Sequence, residues 1–149
     1  MESEGLEPRT LGVTDYDTKA PLKGIRRIMM ESNGLLAIAL KKTHIETGCQ
    51  YKDKRKKYCV ENKWLTSPYC QIEPAMAFQL GLPVLILRDK SVISDNILKK
   101  RALGKFMSVF DMEDGCDYLH FKEFLELLRE WEDDVRTVAK NTDDPPKLY

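Results

Sequence analysis

The chain has 149 residues, 42% hydrophobic and 32% charged, and its 24 basic residues balance its 24 acidic ones. This is enough apolar material for one buried core, and the zero net charge speaks against a generic nucleic-acid or membrane-surface binder. No apolar run approaches the roughly 18 residues of a membrane span, and the acidic start MESEGLEPR lacks the apolar core of a secretory signal, so a cytoplasmic protein is expected.

Taken in order, residues 6–11 read as a short edge strand interrupted by Pro8. Residues 12–20, GVTDYDTKA, are a loop of glycine, aspartate and threonine. Pro21 opens a helix carrying Leu22, Ile25, Ile28 and Met29 on one stripe, with Arg26 and Arg27 off it and Asn33-Gly34 as its end. Residues 35–40, LLAIAL, are apolar without alternation, the pattern of a strand covered on both faces. The stretch from Lys41 to Ser67 reads as one long loop carrying the basic run KDKRKK at 52–57. That run is a solvated loop on one reading and a phosphate-steering or nucleic-acid contact on the other. Nucleic acid is not an expected partner, because nothing around the run reads as a base-recognition module.

Residues 66–89 carry the densest signals. Ser67-Pro68 reads as a hydroxyl cap followed by proline at the first helical position. Pro74 disfavours helical geometry at Glu73, so Glu73 is expected at a helix mouth, with the regular helix running from 74 to 80. Gly81 and Pro83 stop that helix, and the run 84–87 is a second buried strand. Parallel strands need a crossover, so the two apolar runs imply a parallel α/β sheet. Residues 91–102 read as loop plus helix, 105–110 as a last strand and 111–117 as an acidic turn without calcium-loop spacing. Residues 118–138 form the strongest helix, with Phe121, Phe124, Leu125, Leu128, Trp131 and Val135 on its apolar stripe. The domain is expected to span 1–140, with 141–149 as a flexible tail.

The four cysteines, Cys49, Cys59, Cys70 and Cys116, form no CxxC pair, and neither His44 nor His120 stands at zinc-ligand spacing from them. Reduced, partly buried thiols and no metal are expected.

The segment S-P-Y-C-Q-I-E at 67–73, followed by Ala75-Met76-Ala77 and by GLPVLIL at 81–87, resembles the TIR (Toll/interleukin-1 receptor) domain and its relatives the nucleoside 2-deoxyribosyltransferases. Those domains carry a serine, then Trp-Cys-x-x-Glu, entering a helix; here Tyr69 replaces the tryptophan. The likeness runs over about residues 5–138, but only 67–87 is specific. It implies a flavodoxin-like three-layer fold, a parallel sheet with helices on both faces. The chain begins at what looks like the second strand of that fold, so the sheet is expected to be N-terminally incomplete and to self-associate or recruit a partner TIR-like chain along its open edges.

The resemblance also implies cleavage of the N-glycosidic bond of NAD or a related nucleotide or nucleoside, in signalling or defence, with Glu73 as the catalytic group. No cofactor is implied; NAD is a candidate substrate. Such a cleavage passes through an oxocarbenium-like state that a carboxylate stabilises. Ligands of open α/β sheets bind beyond the carboxyl ends of the strands. There fall Asp15, Tyr16 and Asp17, then Lys41, Lys42 and Thr43, then Glu73, then Arg88 and Asp89, with Ser67 and Cys70 of the motif joining the substrate-binding set. The competing expectation is a catalytically silent TIR-like module that binds a nucleotide or associates with itself.

Overall fold

LLAIA and VLILRD are rich in residues that suit a pleated, covered surface. In the computed structural model, which describes residues 5–13, 20–55, 57–103 and 106–141, they form β1 (Leu35–Ala39) and β4 (Val84–Asp89). The two pair in parallel, from Leu35 opposite Val84 to Ala39 opposite Arg88. β5 (Met107–Phe110) adds in parallel on the far side of β4, giving the order β1-β4-β5. β4 is the central strand, and Leu85 is wholly buried. The parallel α/β sheet expected from the sequence is present.

Alternation along the strands divides the core in two. Ala37, Ala39, Val84 and Ile86 meet Ile25 and Met29 of α1 (Pro21–Met30) and Ala77 of α2 (Tyr69–Gln79). Leu85 and Leu87 meet Phe124, Trp131 and Val135 of α3 (Lys122–Lys140). Gly34 is fixed by the second contact. A Cβ there would lie 2.5 Å from Val135 Cγ2 and 3.4 Å from both Pro83 O and Trp131 Cζ2. Gly34→Ala is therefore expected to lose about 1–3 kcal/mol through overpacking, read as a lower midpoint in thermal melts. Adding Val135→Ala should return part of that loss; simple additivity of the two changes would show that the contact is not the cause.

Several expectations are corrected. Residues 6–11 form no strand; Leu6 and Leu11 instead pack against the two cores. α1 ends at Met30, before Asn33-Gly34, and Leu22 is exposed. β1 is not covered along its whole length: its outer edge has no partner among the described residues, and Ile38 is 48% exposed. Residues 91–102 hold only a 3-10 turn at Asn96–Leu98, entered from extended backbone at Asp95. Tyr118 sits in another such turn, Asp117–His120, and extended Phe121 restarts the chain as α3.

The largest correction concerns 41–67, which is not a loop. β2 (Thr43–Gln50) and β3 (Tyr58–Leu65) form an antiparallel hairpin, and most of the basic run lies in the turn joining them. Its strands alternate weakly, and only Val60 is buried, so no apolar periodicity announced them. Trp64 docks the hairpin: its N–H donates to Ser91 O at 3.1 Å and its carbonyl accepts from Ile93 N at 2.9 Å. His44 lies against the indole with ring centroids 4.7 Å apart.

Candidate functional site at the carboxyl ends of the strands

Because β1, β4 and β5 are parallel, their carboxyl ends gather on one side of the molecule. Asp89 closes β4 with its side chain fully buried. Its Oδ1 accepts from the Ser91 N–H at 2.8 Å and from the Ser91 hydroxyl, while Oδ2 faces Lys41 Nζ at 3.9 Å. Arg88 turns inward beside it, its Nη1 donating to Val92 O at 2.5 Å and to Asp89 O at 3.4 Å. Burial pushes the Arg88 guanidinium below its ordinary value, and the neighbouring Asp89 charge acts in the opposite direction. Lys90 pairs with Asp111 after β5; that hydrogen bond, chief among several causes, lowers the Asp111 carboxyl and raises the Lys90 ammonium. Lys41 and Arg88 thus stand at the carboxyl-end side of β1 and β4, held by structural partners.

The entry of α2 is largely as read. Pro68 already has helical dihedrals, and Ser67 Oγ accepts from the Tyr69 N–H at 3.4 Å. The expectation for Glu73 fails. α2 begins at Tyr69 and runs through Pro74, so Glu73 lies within the helix and is not held out of it. Pro74 deprives the Cys70 carbonyl of its helical donor, but its ring is among the most completely buried side chains, which offsets that loss. Ionisation of Glu73 is not favoured, as a helix mouth would favour it. Burial raises its carboxyl above the ordinary glutamate range.

At 100° per residue, Cys70, Glu73 and Ala77 share one side of α2. Cys70 marks what that side meets: its thiol lies 3.5 Å from Ile38 O and accepts from Thr66 Oγ1 at 3.4 Å. Glu73 therefore belongs to the side of the helix turned to β1, half-buried and without a partner among the described residues. Cys70 is a half-buried free thiol, while Cys49, Cys59 and Cys116 are exposed, against the expectation of partial burial.

A cavity of about 340 Å³ opens along the other side of α2, lined by Thr66, Ser67, Pro68, Gln71, Ile72 and Asp95 among others. Gln71 Nε2 donates to Asp95 Oδ1 at 3.2 Å across its wall. Neither Gln71 nor Asp95 stood out in the sequence, since an amide and a carboxylate so far apart give no local pattern. Of the expected site residues that are described, only Ser67 lines this cavity. Thr43 is an exposed first residue of β2 paired with Leu65, and Asp15, Tyr16 and Asp17 lie outside the described residues. No group of acidic, histidine and cysteine side chains suited to a metal occurs among the described residues. Compared with known proteins, the chain matches no family model, no curated protein and no solved structure.

Proposed function

We propose that the chain is a TIR-like domain that cleaves the N-glycosidic bond of NAD or a related nucleotide, with Glu73 as the reacting carboxylate. The observation that carries this reading is Glu73 itself: half-buried, unpaired among the described residues and raised by its burial. A carboxylate kept without a counter-charge is poorly suited to holding a fold together and well suited to meeting a cationic ligand. Bound nicotinamide riboside chemistry supplies that cation. As the glycosidic bond breaks, its electron pair leaves with nicotinamide, which becomes neutral, and positive charge moves to the ribose. Ionised Glu73 stabilises that charge until water adds and releases a proton. The finer fold reading, flavodoxin-like layering, belongs to the same proposal and is supported by the two cores flanking β4. Self-association is supported by the outer edge of β1, unpaired among the described residues, with Ile38 exposed beside it.

The test is to incubate NAD and a panel of nucleosides with the wild type and Glu73→Gln, following the free base by chromatography. Release by the wild type and none by the variant is expected. Equal release by both removes Glu73 from the mechanism. No release by the wild type supports the second reading, a silent nucleotide-binding module, which the cavity on the opposite side of α2 favours.

The pH dependence follows from the raised Glu73 carboxyl. Turnover needs the ionised form, so the rate should fall as pH drops through a midpoint above the ordinary glutamate value. Stability runs the other way. A carboxyl raised by folding favours the fold below its unfolded value, and that contribution is lost as pH rises through the folded value. Glu73→Gln should therefore melt higher than the wild type at neutral pH, with the gap closing in acid. A gap independent of pH would show that the charge of Glu73 costs the fold nothing.

A further inference from the structure

The hairpin places two cysteines where neither the core nor the proposed chemistry uses them. Cys49 and Cys59 are direct partners in the β2–β3 ladder, and both are exposed. Opposed residues of an antiparallel pair have Cα atoms roughly 4.5–5.5 Å apart with side chains on one face. A disulfide needs about 4.4–6.8 Å. We propose that Cys49 and Cys59 form a thiol–disulfide modification site, closed by a low-molecular-weight disulfide such as glutathione disulfide and reopened by thiols.

The exchange balances without any other reactant. The Cys49 thiolate attacks one sulfur of glutathione disulfide, forming a mixed disulfide and expelling one glutathione thiolate. The Cys59 thiolate then attacks the Cys49 sulfur, closing the bond across the ladder and expelling the second glutathione. Two electrons pass from the protein thiols to one glutathione disulfide, and the two thiol protons end on the two released glutathiones. The order of attack follows from a hydrogen bond to Cys49, the main reason that the Cys59 thiol lies above its ordinary value; Lys57 opposes that shift. Between the two cysteines the sequence has Lys52, Lys54, Arg55, Lys56 and Lys57 against one acidic residue, Asp53, before β3. That excess of positive charge draws an anionic disulfide to the pair.

The closed bond has something to act on. The hairpin buries only Val60, so its ladder is held by pairing and by the Trp64 dock at its far end. An exposed two-stranded ladder is marginal by itself. A bond at positions 49 and 59 staples the end that carries the basic turn.

The full chain is equilibrated in glutathione buffers of increasing oxidised fraction, alkylated, and digested with trypsin. Cleavage within the basic turn separates residues 43–52 from residues 58–63, so the closed bond is read as one linked pair of these peptides. The expected result is that linked pair, an intact mass lower by two hydrogens, and slower amide exchange across the hairpin. All three should revert with dithiothreitol. Cys49→Ser should instead leave Cys59 as a stable glutathione adduct, and Cys59→Ser should do the same for Cys49. Glutathione adducts on both cysteines of the wild type, or covalent dimers without the linked pair, overturn the proposal. A linked pair that leaves exchange in the hairpin unchanged overturns its effect on the ladder.

Discussion

Trp131→Ala is expected to cost about 3–5 kcal/mol, the largest stability loss of any change considered for this chain. Trp131 is only 4% exposed, on the side of α3 that covers Leu85 and Leu87. Its indole reaches the N-terminal end of the sheet and donates from Nε1 to Pro83 O at 3.1 Å. The same carbonyl accepts from Leu35 N at 2.9 Å, so one oxygen joins α3 to the start of β1 and of β4. The carbonyl keeps its strand partner when the indole goes, and most of the loss is therefore the emptied volume and not an orphaned acceptor. Trp131→Phe separates the two contributions. It retains most of the ring area and should cost less than half as much. Urea unfolding of the three proteins checks the ranking. Equal midpoints for the wild type and the alanine variant would mean that α3 does not hold this face of the sheet.

Asp89→Ala should cost about 3 kcal/mol, the scale for removing one member of a buried charged network. The change leaves the Ser91 N–H without its acceptor and takes the nearest negative charge from Arg88, whose Nε already has no hydrogen-bond partner among the described residues. Lys41 suffers less, because its side chain is 31% exposed and can return to water. Asp89→Asn keeps an acceptor for Ser91 and loses only the charge, so its midpoint should fall between those of the wild type and the alanine variant. The effect should also reach the hairpin. Asp89 fixes the turn at 89–92, and the backbone of that turn is what Trp64 pairs with. Amide exchange at Trp64 and Ile93 should therefore quicken in Asp89→Ala. Protection unchanged at both amides would separate the carboxylate from the dock.

What could be read from the sequence was what depends on neighbours along the chain. The apolar runs at 35–40 and 84–87, the proline at the start of α1, the left-handed Gly81 and the α3 stripe from Phe124 to Val135 each signal locally and were found in place, apart from Leu40, which follows β1, and Phe121, which precedes α3 and is exposed. The hairpin was missed because its strands bury almost nothing, and a strand without an inner face has no period of two to see. Glu73 was misplaced for a different reason. The rule that proline turns the preceding residue away from the helix is a local preference, and it lost to the burial of the Pro74 ring. That Lys41 and Arg88 lie at the carboxyl ends of the strands follows from parallel strands alone. Their structural roles were not legible, because Asp89, placed beside them from the sequence, acts as a buried charge only through a depth that the sequence does not give.

The pairing of Thr43 with Leu65, reinforced by the Lys42 N–H donating to Leu65 O at 2.9 Å, bears on how the chain can be edited. An antiparallel pair holds its two Cα atoms about 5 Å apart, little more than the 3.8 Å between consecutive residues. Once the ladder has zipped, the sheet-forming parts of the chain are joined across 43–65 by what is in effect a tight link. The loop-closure entropy of bringing β1 and α2 together is then that of a short connection, whatever the length of the excursion. The hairpin is in this sense a detachable module. It can lengthen, shorten or exchange its basic turn without altering the path between the elements that build the parallel sheet.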